Sequence, residues 1–191
     1  MPELIFNAED HTYTLDGKRL PSVTEILRPL STFDRVPADV LDRAREFGSD
    51  VHLACELDDK GCLDHDGLDP ALQPYLRGWQ RFKAESGFVL TAIETPVYSK
   101  RYGYAGTPDR RCTVRGADGL LDIKTGAVPI SVGPQTAGYA IAITEMEATG
   151  RLNRYCVSLA PDEYRLIPLK DPRDFNLFLS CKNIHDWRNN G

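Results

Sequence analysis

Two segments of this 191-residue chain carry residue types suited to phosphodiester chemistry. They are Gly103-Tyr104-Ala105-Gly106-Thr107-Pro108-Asp109 and Leu120-Leu121-Asp122-Ile123-Lys124-Thr125-Gly126. Asp-x-Lys alone is a common pattern, and the chain holds it three times, at Asp16–Lys18, Asp58–Lys60 and Asp122–Lys124. The first falls at an Asp-Gly turn and the second at the polar end of a helical stretch, so both are expected to be solvated charges. Only the third lies inside an apolar strand. Because strand side chains alternate, Asp122 and Lys124 share one face while Leu121 and Ile123 enter the other. Such a pair is either a salt bridge on a solvated sheet face or part of a site that offsets its desolvation. Asp109, on the adjoining strand of a predicted hairpin, favours the second reading. Two neighbouring carboxylates repel unless a cation joins them. Oxygen ligands select a hard divalent ion, Mg²⁺ or Mn²⁺. That ion would polarise a phosphodiester, with Lys124 placing the attacking water or neutralising developing charge.

The elements that must position these residues are legible from hydrophobic periodicity. His11 to Leu15, the Asp16-Gly17 turn and Lys18 to Leu20 predict a hairpin. Ser22 and Glu25 predict a capping box on a short helix reaching Leu30. Pro37 to Leu57 predicts a helix with Val40, Ala44, Phe47, Val51 and Ala54 inward. Pro70 to Glu85 predicts a second, with a core stripe of Leu72, Tyr75, Leu76, Trp79 and Phe82. Strands are expected at 88–98, 104–115 and 119–124 as a meander, then a helix over 134–149. Strands at 152–159 and 163–169 form a further hairpin, and a helix over 174–188 closes the chain. The sum is a mixed α/β domain.

Hydrophobic residues make up 41% of the chain and charged residues 27%, ordinary values for a globular protein. With 23 Lys and Arg against 28 Asp and Glu the net charge is −5, which argues against binding nucleic acid by bulk charge. No apolar run approaches a membrane span, and the first residues lack a basic, apolar leader, so a cytoplasmic protein without a membrane partner is expected. Five scattered cysteines, at 55, 62, 112, 156 and 181, predict free thiols.

The Pro108-Asp109 and Asp122-Ile123-Lys124 segments resemble the PD-(D/E)xK nuclease superfamily. More narrowly, the chain resembles its RecB-like exonuclease branch, found in phage and prophage recombination systems. Three further matches follow the branch's order: Gly48-Ser49-Asp50-Val51-His52 as its Gly-x-x-x-His motif, Glu94 in the preceding strand, and Gln135 with Tyr139 as Gln-x-x-x-Tyr. The resemblance implies a restriction-endonuclease-like core in a single nuclease domain over 1–191. A hairpin and helical part would span 1–87, the catalytic sheet 88–170, and a C-terminal helix 171–191. It implies Asp109, Asp122 and the Ile123 carbonyl as metal ligands, with His52 and Glu94 assisting, and cleavage leaving a 5′-phosphate. Its iron–sulfur members carry a C-terminal cysteine cluster that is lacking here, so no iron–sulfur cluster is expected.

Each residue also has a plainer role. His52 is either a core histidine or a ligand, and Glu94 either a cross-strand ion-pair partner or a ligand. Gln135 and Tyr139 share one helix face, either packing or, as the family implies, touching DNA phosphate or the site lysine. Gly138 would let that helix approach the sheet. Arg101, Arg110, Arg111 and Arg115 are expected to bring positive charge to the site, and Tyr98, Tyr102 and Tyr104 to stack on bases, or else to form an ordinary β surface. His11, His65 and His185 are expected on the surface. The resulting expectation is a metal-dependent DNA exonuclease in recombination or end processing, in a bacterial or phage-infected cytoplasm. The rivals are a structure- or site-specific endonuclease, and a non-catalytic DNA- or partner-binding module serving a helicase or a single-strand annealing protein.

Overall fold

A computed structural model describes residues 3–30 and 37–189. The chain opens with β1 (Leu4–Asn7), β2 (Thr12–Leu15) and β3 (Lys18–Leu20), an antiparallel sheet in that order. Periodicity anticipates β2 and β3 but not β1. The Ser22–Glu25 capping box forms as expected: Ser22 Oγ accepts the Glu25 N–H at 3.0 Å and starts α1 (Val23–Ile26). A 3-10 turn at Arg28–Leu30 completes the segment predicted to reach Leu30.

Next come α2 (Ala38–Asp59), α3 (Gln73–Glu85) and β4 (Phe88–Ile93). The strands expected over 88–98 and 104–115 each divide. Their outer pieces, β5 (Val97–Ser99) and β6 (Tyr104–Gly106), form a separate two-stranded ribbon. The inner pieces, β4 and β7 (Arg110–Val114), stay in the main sheet. The breaks fall at Glu94-Thr95-Pro96 and Thr107-Pro108, where a proline has no N–H to continue a ladder. β8 (Ala117–Thr125) follows β7 through Arg115 and Gly116, both at positive φ (50° and 76°), a turn matched to strand twist. α4 (Val132–Glu147) crosses to β9 (Asn153–Ala160), which pairs parallel with β8. β10 (Glu163–Pro168) and α5 (Arg173–Asn189) complete the chain.

The five-stranded sheet has the order β10-β9-β8-β7-β4, mixed in direction and flanked by helices, a restriction-endonuclease-like architecture. Leu120 joins α1, α4 and α5 in one core, with Ile143 and Phe178. Leu121 and Ile123 join α2 and α3 in the other, with Trp79 and Phe82. Alternation along β8 therefore directs Asp122 and Lys124 to the α4 side.

Two packing expectations need correction. Val40 is 45% exposed and Ala44 is also exposed; α2 approaches the end of β8 only further along, at Gly48, where a Cβ would stand 3.4 Å from Thr125 Oγ1. Asp58 and Asp59 are not solvated. The Asp59 carboxylate is buried, accepting bonds from Trp79 Nε1 (2.9 Å), Lys83 Nζ (2.6 Å) and Arg110 Nε (2.7 Å). Among the described residues no helix is long and apolar enough to cross a membrane.

Candidate active site

The site forms where β7 stops and β8 continues. Arg110 pairs with Leu121, and one step further Asp109 lies opposite Asp122. Pro108 has no N–H to continue the ladder, and the Asp109 side chain meets β8 as an acceptor in place of a backbone carbonyl: its Oδ2 accepts the Ile123 N–H at 2.6 Å. The amide and carbonyl of one strand residue point to the same edge, so the Ile123 carbonyl also faces the gap beyond β7. Its side chain is fully buried on the opposite face.

Asp122 is 0% exposed, and Lys124 Nζ lies 2.6 Å from its Oδ2. That contact is an ion pair without hydrogen-bond alignment, and neither Asp122 oxygen receives a donor among the described residues. From α2, His52 Nδ1 reaches within 3.5 Å of Asp109 Oδ2. One ligand atom each from His52, Glu94 and Asp109 lies within 4.8 Å of the others. Glu94 is held at φ 43°, a left-handed conformation that an unbranched L residue adopts at a cost of about 1–3 kcal/mol. Its N–H donates to the Asp109 carbonyl at 3.0 Å, fixing the bend.

The charges are crowded. Burial, reinforced by Asp109, pushes the Glu94 carboxyl up to about 8. Burial raises Asp122 to about 6; Lys124 opposes the rise and Asp109 adds to it. For Lys124 burial pulls downward, but Asp122 and Asp109 together hold its ammonium above the usual value. A set of carboxylate oxygens with one imidazole, including two buried oxygens lacking donors, fits a hard divalent cation. The site opens into a cavity of about 1000 Å³ between α2, the N-terminal sheet and α4.

On α4, Gln135 Nε2 donates to Tyr139 Oη at 3.2 Å, and both residues line the cavity. Burial pushes the Tyr139 phenol well above its ordinary value. The tight approach beside Tyr139 is made by Gly106, where a Cβ would stand 2.6 Å from the ring. Gly138 does not face the sheet as expected; it accommodates Phe178 of α5.

Several expected DNA contacts lie elsewhere. Tyr104 is fully buried, edge-on to Phe178, and its hydroxyl donates to the Gly138 carbonyl at 2.7 Å, so no ring face is left for a base. Arg110 is also fully buried. It spans Asp59 and Glu94 (Nη1 to Oε1, 3.0 Å) and stacks over Trp79, on the α2–α3 side where Leu121 points. Arg111 is engaged by Glu147 at 2.7 Å, and Arg115 sits in the turn at the far end of the β7–β8 hairpin. Arg101, in the β5–β6 turn, stacks on half-buried Tyr102 along a different cavity. His11 is exposed but on the wall of the site cavity, His65 is exposed near Asp58, and His185 is half-buried against Asp186. All five cysteines are free thiols, and only Cys62 is exposed.

The Asp59–Arg110–Glu94 chain is not among the sequence expectations. Its signal was present: Asp59 follows Cys55 by one helical turn on the face that buries Val51 and Cys55.

No family model matches the sequence, and no curated protein matches it. The fold is similar to a crystal structure from Eubacterium rectale described as that of a "putative exonuclease", with a TM-score of 0.54 and 12% identity. The match covers 74% of this chain and 65% of that one, so the chain spans slightly under two thirds of its neighbour's length. At that identity the likeness is one of fold.

Proposed function

We propose that this chain is a divalent-metal-dependent DNA exonuclease of the RecB-like PD-(D/E)xK type, processing DNA ends in phage- or prophage-style recombination in the cytoplasm. One observation carries the reading. Two carboxylates from neighbouring strands and a lysine converge at the end of β7, with Asp109 on the Ile123 amide and Lys124 on Asp122. A nuclease-like fold adds support.

Asp109, Asp122 and the Ile123 carbonyl would hold Mg²⁺ or Mn²⁺, with His52 and Glu94 completing the set. Bound there, the ion supplies Lewis acidity to the phosphoryl oxygens. Lys124 orients the attacking water for in-line displacement and offsets charge gathering on the phosphate. Gln135 and Tyr139 contact the phosphate from α4. Arg110 does not touch DNA; it positions Glu94. The residues over 1–191 act as one nuclease domain, with the helical part before β4 supplying His52.

The test is digestion of end-labelled linear DNA with Mg²⁺ or Mn²⁺ beside closed circular DNA. Wild type is expected to degrade the linear form and spare the circle. Lys124→Ala is expected to lose about a hundredfold or more of the rate, the usual effect of removing one group that stabilises the transition state. Equal rates for wild type and Lys124→Ala overturn the assignment. Cutting of closed circles makes the protein an endonuclease, and metal binding with no cleavage leaves a binding module.

A further inference from the structure

The wall of the cavity facing the acids is aromatic, and its origin is the N-terminal sheet. Phe6 stacks on Tyr13 with ring centroids 4.8 Å apart and planes at 26°. His11 stands edge-on to Phe6 at 5.1 Å. The turn between β1 and β2 is built to hold it there: His11 takes φ 54°, and Asp10 receives the Thr12 hydroxyl at 2.7 Å. This shelf is registered to the acids by a bond between buried Tyr13 Oη and Thr107 Oγ1 at 2.8 Å, two residues before Asp109, and by the Ala105 N–H donating to the Pro21 carbonyl at 3.0 Å. Phe6 and His11 both line the cavity, as does Arg45 from α2. The Arg45 side chain is 62% exposed, and among the described residues its guanidinium pairs with Asp42 alone, at 3.4 Å.

We propose that Phe6 and His11 form a base-stacking subsite and Arg45 a phosphate contact beside it, so that the chain takes an unpaired DNA strand rather than an intact duplex end. This deepens the nuclease reading and rests on it. Asp109 and Lys124 line the same cavity, and Asp122 is buried against Lys124. A phosphodiester held at Asp109 and Lys124 brings its neighbouring bases beside Phe6 and His11, and a base still paired in a duplex has no free face to stack there. Flat side chains with an adjacent cation are how single strands are held without regard to sequence, since every base has a face to stack.

The experiment is steady-state digestion, with Mn²⁺, of a labelled single-stranded oligonucleotide, the same sequence as a blunt duplex, and a single strand with abasic residues at its ends. Wild type is expected to favour the plain single strand over the blunt duplex by about tenfold or more in kcat/KM. Phe6→Leu, which keeps an apolar side chain under the shelf, and His11→Ala, at an exposed position, are each expected to raise KM on the plain strand about tenfold. On the abasic strand the variants and wild type converge, which a structural defect would not produce. Active wild type that cuts blunt duplex as readily as single strand, or variants with unchanged KM, overturns the subsite while leaving the nuclease standing. Wild type inert on every substrate overturns the nuclease reading and the subsite with it.

Discussion

Asp59→Asn probes the support beneath the site. The substitution keeps the side chain's shape but places an amide N–H₂ against a donor, Arg110 Nε or Lys83 Nζ and Trp79 Nε1, depending on how the amide turns. The Arg110 guanidinium is fully buried, and among the described residues one of its nitrogens already lacks a partner and Glu94 becomes its one remaining carboxylate. Breaking a buried ion pair from one side costs about 3–5 kcal/mol. For a domain of this size each kcal/mol moves Tm by roughly 2–4 °C, so a drop of about 6–20 °C is expected. Thermal unfolding followed by circular dichroism reads it, with Lys60→Ala at the neighbouring exposed pair as the control that barely moves. A loss under about 2 °C for Asp59→Asn would refute the reasoning, because the carboxylate would then be as dispensable as a surface charge.

Glu94 and Asp122 rise from ordinary values of 4.5 and 3.8 to about 8 and about 6 on folding, chiefly through burial. The folded state therefore binds more protons, and in chelator these two groups weaken the fold as pH climbs from about 4 towards 8. Mn²⁺ takes the protons' place, so its gain in Tm is expected to grow from pH 5.5 to pH 8 in melting curves; a gain independent of pH contradicts the crowding. Gly106→Ala would drive a methyl to 2.6 Å from the Tyr139 ring and is expected to cost about 1–3 kcal/mol in denaturant titration. Gly48→Ala meets Thr125 at an ordinary 3.4 Å and is expected to hold or raise stability by up to about 1 kcal/mol. Tyr104→Phe loses one buried hydrogen bond, about 1 kcal/mol, and is expected to leave the rate on DNA unchanged, as digestion kinetics would show.

Much of this arrangement is written in local patterns. Alternation along 120–124 already separates Asp122 and Lys124 from Leu121 and Ile123, and the Ser22–Glu25 box marks a helix start with two residues. The hairpin reading brought Asp109 towards Asp122, and the fold adds how: past the end of β7 the Asp109 carboxylate, in place of a backbone carbonyl, accepts the Ile123 N–H. What local patterns could not show depends on partners distant in sequence. Arg110 looks like a surface strand cation until Asp59, 51 residues earlier, and Trp79 close over it. Tyr104 reads as an exposed β aromatic until α4 and α5 cover it. The division at Pro96 and Pro108 had a local signal in the prolines themselves. The new partner strand that each outer piece acquires could not be read locally.

Anomalous diffraction from crystals soaked in Mn²⁺ tests most directly whether these side chains share a cation. One strong peak is expected in coordination range of both Asp109 and Asp122, lost in Asp122→Ala. A peak elsewhere, or none at saturating Mn²⁺, would contradict it.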